Sequence, residues 1–197
     1  MNQHPSDIFS TIIAILWLGF LLYWAVSAIG VKKHVPGKGS WRNWALGRIA
    51  LIAGLIFIYR TPALSPFWHF ADGLTFFQSE AVRIAGTVLT VLGIGFAVWA
   101  RRHLGRNWSG RPTMKVDHEL VTSGPYRFVR HPIYTGILAA LAGTSLVNGP
   151  FLLVAVVAAL LIFVWRIRKE EGYMMELFPD VYPAYRARTK ALIPAVW

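Results

Sequence analysis

Residues 132–165 form an uncharged run of 34 residues, the longest in the chain. A single helix of that length would measure about 51 Å, well beyond the roughly 30 Å thickness of the hydrocarbon core of a bilayer. An Asn-Gly-Pro triplet at 148–150 lies in the middle of the run and is a strong break signal. The run therefore predicts a tight helical hairpin, with helices at 132–147 and 150–165. Each is short for a membrane span, and either could continue past its charged end.

Three further apolar segments precede this hairpin, at 8–30, 44–59 and 84–100. The first holds no Asp, Glu, Lys or Arg over 23 residues, more than the roughly 20 needed to cross a bilayer. No basic segment precedes it and no small-residue cleavage site follows it, so we interpret it as a retained helix rather than a signal peptide. The composition is 55% hydrophobic and only 15% charged. Residues 1–197 thus predict one domain, an all-α integral membrane protein of about five transmembrane helices.

Basic residues cluster after the first, third and fifth predicted helices, whereas the loop after the second has only Arg60 and Arg83 at its edges. Because Lys and Arg are enriched in cytoplasmic loops, this asymmetry predicts a multi-pass inner-membrane protein with its N-terminus outside. The segments 101–131 and 166–197, the latter a helical C-terminal tail, then lie on the cytoplasmic face. The same rule explains the formal charge of +11, so nucleic acid is not expected as a partner.

Residues 117–136, DHELVTSGPYRFVRHPIYTG, crowd ionisable and turn-forming side chains against the start of the fourth helix. Ionisable groups this close to an apolar span mark a functional site by default. Pro132 suits the first turn of a helix, which would place His131 at the cap and Tyr134 one turn further on. Helix N-terminal N–H groups favour a carboxylate or a phosphate. An interfacial aromatic belt with a capping histidine explains the same residues about equally well.

A second constellation follows the fifth helix, where Arg166 precedes the pair Glu170 and Glu171. If the helix continues, Arg166 and Glu170 face the same way, because they are four residues apart. Two adjacent carboxylates outside a membrane can bind an ammonium or sulfonium group, and a surface salt bridge is the plainer alternative. The hairpin returns this end and the His131–Tyr134 end to one surface. That topology favours a functional site.

The remaining features give structural expectations. Gly86, Gly93 and Gly95 on the third helix are expected to serve helix packing. The aromatic, proline-punctuated tail at 178–194 is either a lid over a site or an interfacial anchor. The chain has no cysteine, which excludes disulfides and zinc–thiolate sites, and its histidines lack metal-ligand spacing, so no metal is expected.

Three ordered blocks resemble the isoprenylcysteine carboxyl methyltransferase family, whose wider group includes phospholipid N-methyltransferases. The blocks are H-x-L-V-T-x-G-x-Y at 118–126, R-H-P-x-Y-x-G at 130–136, and paired glutamates followed by F-x-x-x-Y-x-x-Y at 178–185. They cover the chain from about residue 104 to its end. The resemblance implies a polytopic methyltransferase that holds S-adenosylmethionine between helix ends and the folded tail.

The resemblance also implies roles for individual residues. Catalytic roles fall to Arg166, which would contact the acceptor, and to Glu170, which would hold the cofactor. The need of a carboxylate acceptor for a cation makes Arg130 a less favoured catalytic candidate beside Arg166. A further polar contact to the cofactor falls near Arg111. After Phe178 the family has a glycine, whereas this chain has Pro179. The implied cofactor-binding residues are His118, Glu119, Leu120, Val121, Tyr126, His131, Pro132, Ile133, Tyr134 and Glu170.

The acceptor stays open at this point. A carboxylate is ionised at pH 7, since its reference pKa is about 4, and it needs only a cation such as Arg166 to hold it. An amine must first lose a proton, with Glu170, Glu171 or His131 as the candidate base. Arg166 favours a lipid or prenylated carboxylate. The alternatives are a phospholipid amine N-methyltransferase, a sterol-reductase-like membrane reductase that uses NADPH, and a non-catalytic membrane scaffold.

Overall fold

The computed structural model describes residues 8–29, 66, 79–108 and 119–194, and the statements below concern these residues. The helix predicted at 44–59 lies outside them. Short 3-10 helices occur at Gly105–Asn107, Gly124–Arg127 and Pro150–Leu152. Five α-helices lie wholly within the described residues: α1 Ile8–Ser27, α2 Glu80–Leu104, α3 Pro132–Asn148, α4 Leu153–Leu177 and α5 Tyr182–Arg188.

Three of the described helical segments are long and apolar enough to cross a membrane, namely α1, α2 and Pro150–Leu177. The 17-residue helix α3 is also apolar but shorter. Many large apolar side chains of α1, α2 and α4 are exposed, as expected for helices whose solvent is lipid. The predicted all-α membrane fold is confirmed. The count of five spans and the orientation stay predictions.

Helices α2 and α3 approach each other through backbone rather than through large side chains. A Cβ atom added at Gly93 would lie 2.5 Å from the Ala140 nitrogen and 2.6 Å from the Gly136 oxygen. The Thr90 hydroxyl donates to the Ala140 carbonyl at 3.3 Å across the same contact. Small residues of this kind let membrane helices pack closely where burial of apolar surface gives no driving force.

The packing role expected for the glycines of α2 is confirmed at Gly86 and Gly93, whereas the described residues give Gly95 no such role. Gly86 opposes the Gly143 carbonyl at 2.7 Å from its hypothetical Cβ, and Gly93 opposes α3 as described. Among the described residues, no atom lies within 4 Å of the equivalent position at Gly95. Two residues along a helix correspond to about 200° of rotation, so Gly95 lies on the far side of α2 from Gly93.

The hairpin between α3 and α4 turns at Gly149, whose φ of 100° lies in the region that favours glycine. The helix expected at 150–165 begins with a 3-10 turn and its α-helical part ends only at Leu177. The residues after Trp165 include Arg, Lys, Glu and Met, which are good helix formers, and no proline occurs before Pro179. The helix therefore leaves the apolar region without ending there.

A buried arginine fixes α1 against the end of α2. Arg101 donates from one guanidinium nitrogen to the carbonyl of Ser27, the last residue of α1, and from another to the Gly105 carbonyl at 2.9 Å. Its Cζ atom lies 4.4 Å from the centre of the Trp108 ring, and that ring contacts Trp24 of α1 edge-on at 5.5 Å. The C-terminal ends of α1 and α2 are thus held next to each other.

Candidate functional site

The start of α3 and the charged part of α4 meet in a polar cluster around Glu170. The Tyr134 hydroxyl donates to Glu170 Oε1 at 2.6 Å. Arg166, one turn earlier on α4, donates to the same oxygen from Nε at 3.3 Å and from Nη2 at 3.0 Å. The other oxygen, Oε2, lies 3.7 Å from His131 Nδ1. Arg166 is 8% exposed, so its charge is balanced by Glu170 rather than by water.

Three aromatic rings stack beside this cluster. The Tyr134 ring lies parallel to that of His131, with ring centres 5.6 Å apart and an interplanar angle of 4°. It also stacks on Phe163, with centres 4.4 Å apart and an angle of 13°. Phe163 belongs to the uncharged part of α4, one turn before Arg166. Aromatic faces attract cations, so the stack offers a surface for a positively charged ligand next to a carboxylate.

The second glutamate, Glu171, is the centre of a neighbouring network that shares His131 with the Glu170 cluster. Its Oε1 accepts hydrogen bonds from Arg130 Nε at 2.8 Å and His131 Nε2 at 3.3 Å, and lies 2.7 Å from Arg130 Nη2. Its Oε2 lies 3.0 Å from Nε of Arg186 on α5. Arg130 also donates to the backbone carbonyls of Arg186, at 3.2 Å, and of Thr189. This network connects α4 to the C-terminal tail.

The tail beyond α5 is paired with the residues that begin α3. The His131 amide donates to the Ala191 carbonyl at 3.0 Å, and the Thr135 hydroxyl donates to the Leu192 carbonyl at 2.7 Å. Ala191 and Leu192 are buried together with Ile167 of α4. The tail is therefore docked on the same helix ends that carry the polar cluster.

Buried tyrosines join the tail to the end of α2. The Tyr185 hydroxyl donates to the Tyr126 carbonyl at 2.6 Å, and the Tyr126 hydroxyl donates to the Ala100 carbonyl at 3.4 Å. Burial raises the pKa of Tyr185 to about 12 and also raises the pKa values of Tyr126 and Tyr182 above the ordinary value. All three hydroxyls are therefore neutral donors at physiological pH.

Glu119 lies beside the 3-10 turn that follows α2. Its Oε2 accepts a hydrogen bond of 3.4 Å from Asn107 Nδ2. Asn107 is 8% exposed, and among the described residues its Oδ1 has no hydrogen-bond partner. Buried acceptors are normally satisfied, so this oxygen is suited to receive a hydrogen bond from a ligand.

The structure brings part of the predicted site together. His131, Tyr134, Arg166 and Glu170 form one cluster, as described above. Arg130, in contrast, pairs with Glu171 and the tail. Tyr126 and Ile133 belong to the core of an apolar cluster, against which Val121 and Tyr134 pack. Pro132 is the first residue of α3, and Glu119 and Leu120 precede Val121 in the chain. His118 and Arg111 lie outside the described residues.

Sequence reasoning missed two residues of these networks. Phe163 sits within an uncharged run, where nothing distinguishes one phenylalanine from its neighbours, and only its spacing of three from Arg166 could have indicated a shared face. Arg186 is one of several tail arginines. Its pairing with Glu171 depends on the docking of α5, for which the sequence carries no local signal.

Residues 86–176 match the model of the Isoprenylcysteine carboxyl methyltransferase (ICMT) family. The matched segment holds 91 of the 197 residues, slightly less than half of the chain, and over it the chain is similar to this family. The resemblance drawn from the three sequence blocks is thereby confirmed. The matched region includes α3, the polar cluster and nearly all of α4.

Two curated proteins with different names are similar to part of this chain. The chain is 38% identical over 82 residues to the protein-S-isoprenylcysteine O-methyltransferase of Schizosaccharomyces pombe, an alignment that covers 41% of this chain and 35% of that protein. It is 42% identical over 69 residues to methanethiol S-methyltransferase 1 of Bradyrhizobium diazoefficiens, covering 35% of this chain and 24% of that protein. The chain thus spans only about a quarter to a third of these relatives.

The fold is shared with a solved family structure. The structure of the eukaryotic intramembrane Ras methyltransferase, an isoprenylcysteine carboxyl methyltransferase, matches with a TM-score of 0.58 and 21% sequence identity. The match covers 95% of this chain and 65% of that one. At this identity the similarity establishes a common fold.

Proposed function

We propose that this chain is an S-adenosylmethionine-dependent methyltransferase that acts at the membrane interface on a lipid or prenylated acceptor, with a carboxylate as the accepting group. The observation that carries the proposal is the junction of Arg166, Glu170 and Tyr134. It lies where the uncharged part of α4 gives way to charged residues. A cation suited to a carboxylate is therefore adjacent to helix surface suited to an apolar chain.

The side chains present fit this cofactor by their chemistry. Glu170 would face the cationic part of the cofactor, beside the stacked rings of His131 and Tyr134. Glu119 and the Asn107 Oδ1 atom would accept hydrogen bonds from its hydroxyl and amino groups. When bound, S-adenosylmethionine supplies a methyl group on a sulfonium, and transfer to an acceptor oxygen breaks the sulfur–methyl bond and leaves S-adenosylhomocysteine.

Arg166 would hold the acceptor carboxylate, which needs no general base because it is already ionised at pH 7. The guanidinium is held in place by its two hydrogen bonds to Glu170 and by the nearby Tyr134 ring. Orientation of two reactants can lower the activation barrier by up to roughly 7–11 kcal/mol in favourable systems. A guanidinium already held in place, as in Arg166, would contribute to that orientation. Arg130 is assigned to the tail instead, because its guanidinium is engaged by Glu171 and two tail carbonyls.

The basic residues around 101–115 and 166–169 support a cytoplasmic location for this site and an external N-terminus. The acceptor chain would then arrive laterally from the bilayer, while the water-soluble cofactor arrives from the cytoplasm.

Calorimetric binding of S-adenosylhomocysteine to detergent-purified protein tests the cofactor assignment. Glu170→Ala should weaken binding at least tenfold, or about 1.4 kcal/mol, whereas Glu176→Ala, at an exposed glutamate on the same helix, should change it less than twofold. Absence of binding by folded wild-type protein would overturn the proposal. Labelled methyl transfer to a prenylcysteine carboxylate then tests the acceptor, with Arg166→Lys expected to raise the acceptor KM more than it raises the Kd for S-adenosylhomocysteine.

A thiol acceptor is the second candidate, favoured by the 42% identity to the Bradyrhizobium protein named methanethiol S-methyltransferase 1. Parallel assays with a prenylcysteine carboxylate, a small thiol and a phospholipid amine separate the candidates. Preferred turnover of the thiol would replace the carboxylate assignment while leaving the cofactor assignment intact.

A further inference from the structure

Glu171 is the point at which three parts of the chain meet. It belongs to α4, it binds Arg130 and His131 from the segment that begins α3, and it pairs with Arg186 of α5. The residue is 6% exposed, so the two arginines and the His131 ring replace most of its hydration. Removing one member of such a buried network leaves the others uncompensated.

Glu171 also determines where His131 carries its proton. An ionised carboxylate only accepts hydrogen bonds, so the 3.3 Å contact between His131 Nε2 and Glu171 Oε1 requires the proton on Nε2. The other ring nitrogen, Nδ1, lies 3.7 Å from Glu170 Oε2, so the ring stands between the two carboxylates. The same contact fixes the plane of the imidazole, which lies parallel to the Tyr134 ring.

Docking of the tail runs through the same residues. Arg130 joins Glu171 to the carbonyls of Arg186 and Thr189, and the backbone of His131 pairs with Ala191. A loss of the charge on Glu171 would therefore affect both the attachment of the tail and the ring of His131.

We propose that Glu171 is a positioning residue that couples the docking of the C-terminal tail to the orientation and tautomer of His131, and through His131 to the cofactor site. The cofactor part of this inference rests on the proposed function. The coupling between the tail and His131 does not. Glu171 acts here through its neighbours, in contrast to Glu170, which faces Arg166 and Tyr134.

The test compares Glu171→Gln with Glu176→Gln in the full-length, detergent-solubilised protein. Trypsin cleavage after Arg188 or Lys190, followed by mass spectrometry, reports tail docking. Nitrogen-15 NMR of labelled histidines, assigned with His131→Gln, reports the tautomer of His131. Calorimetry with S-adenosylhomocysteine reports the site.

For Glu171→Gln we expect tail cleavage at least fivefold faster, redistribution of the His131 signal between the two ring nitrogens, and binding at least fivefold weaker. Glu176→Gln should change the cleavage rate and the dissociation constant less than twofold and leave the His131 signal as in the wild type. Faster cleavage with an unchanged His131 signal would overturn the coupling, as would an unchanged tail. If wild-type protein binds no S-adenosylhomocysteine, the proposed function fails, while the cleavage and NMR results still decide the coupling.

Arg186→Gln provides a second variant in case Glu171→Gln does not fold. Arg186 is largely exposed at 53% of its side chain, so the substitution removes one rim contact and leaves Arg130 on Glu171. We expect cleavage after Arg188 to be about two- to threefold faster, with a His131 signal displaced in the same direction as in Glu171→Gln. An unchanged cleavage rate and signal would overturn the coupling.

Discussion

Replacing Gly93 by Ala tests whether α2 and α3 are held together by direct backbone contact. The new Cβ would lie 2.5 Å from the Ala140 nitrogen, about 0.9 Å inside the 3.4 Å at which ordinary contact begins. Backbone atoms cannot turn aside as a flexible side chain can, so the helices must separate locally by a similar distance. Overpacking typically costs about 1–3 kcal/mol, and the 3.3 Å hydrogen bond from Thr90 to Ala140 would be lost as well. We expect a loss of about 2–4 kcal/mol in the free energy of unfolding.

Gly95→Ala is the matched control for this substitution. It lies on the same helix, adds the same methyl group and meets no atom within 4 Å in the part of the chain that the structure describes. Its effect should therefore stay within about 0.5 kcal/mol. Equilibrium unfolding of both variants in mixed micelles, followed by circular dichroism, measures the difference. Equal unfolding free energies for Gly93→Ala and Gly95→Ala would refute the argument that α2 and α3 touch through backbone.

Three further perturbations follow from the site and its supports. Tyr134→Phe keeps the aromatic stack but removes the 2.6 Å hydrogen bond to Glu170. Calorimetry should show S-adenosylhomocysteine binding weakened by about 1.5–3 kcal/mol. Unchanged binding would contradict a role for the hydroxyl. Burial raises the pKa of Tyr185 to about 12, so its contribution to stability should be complete below about pH 10 and be lost as the pH rises through about 12. Tyrosinate absorbance, with Tyr185→Phe as the control, follows this titration. A titration midpoint of Tyr185 near pH 10 would contradict the expectation. Arg101→Met should release α1, because the carbonyl of Ser27 loses its donor. The free energy of unfolding should fall by about 1–3 kcal/mol. A change below about 0.5 kcal/mol, the size typical of surface substitutions, would contradict the anchoring role.

The helical hairpin could be predicted from sequence because its signal is local. The break at 148–150 combines an uncharged run too long for one span with glycine and proline at its centre. The end of α4 could not be predicted in the same way. Hydropathy locates where a helix leaves hydrocarbon, at Trp165, whereas the helix itself ends where hydrogen bonding stops, at Leu177. The two positions coincide only when a helix breaker stands at the interface.

The site divides along similar lines. Hairpin topology and a spacing of four residues were sufficient to expect His131, Tyr134, Arg166 and Glu170 on one surface, and the structure brings their side chains together. Their roles in catalysis stay predictions. The pairing of 129–131 with 190–191 joins segments far apart in the chain, and no local pattern encodes it.

The paired glutamates show why spacing alone could not separate their roles. Adjacent residues of an α-helix differ by about 100° in direction, so two neighbouring carboxylates point to different sets of partners. Glu170 is directed to Arg166 and Tyr134, while Glu171 is directed to Arg130 and the tail. Both residues are carried by α4, and the His131 side chain contacts both carboxylates, so the tail network and the cluster share one helix and one side chain. Neutralising Glu171 should therefore affect tail docking and cofactor binding together, whereas neutralising Glu170 should weaken cofactor binding with a smaller effect on tail docking.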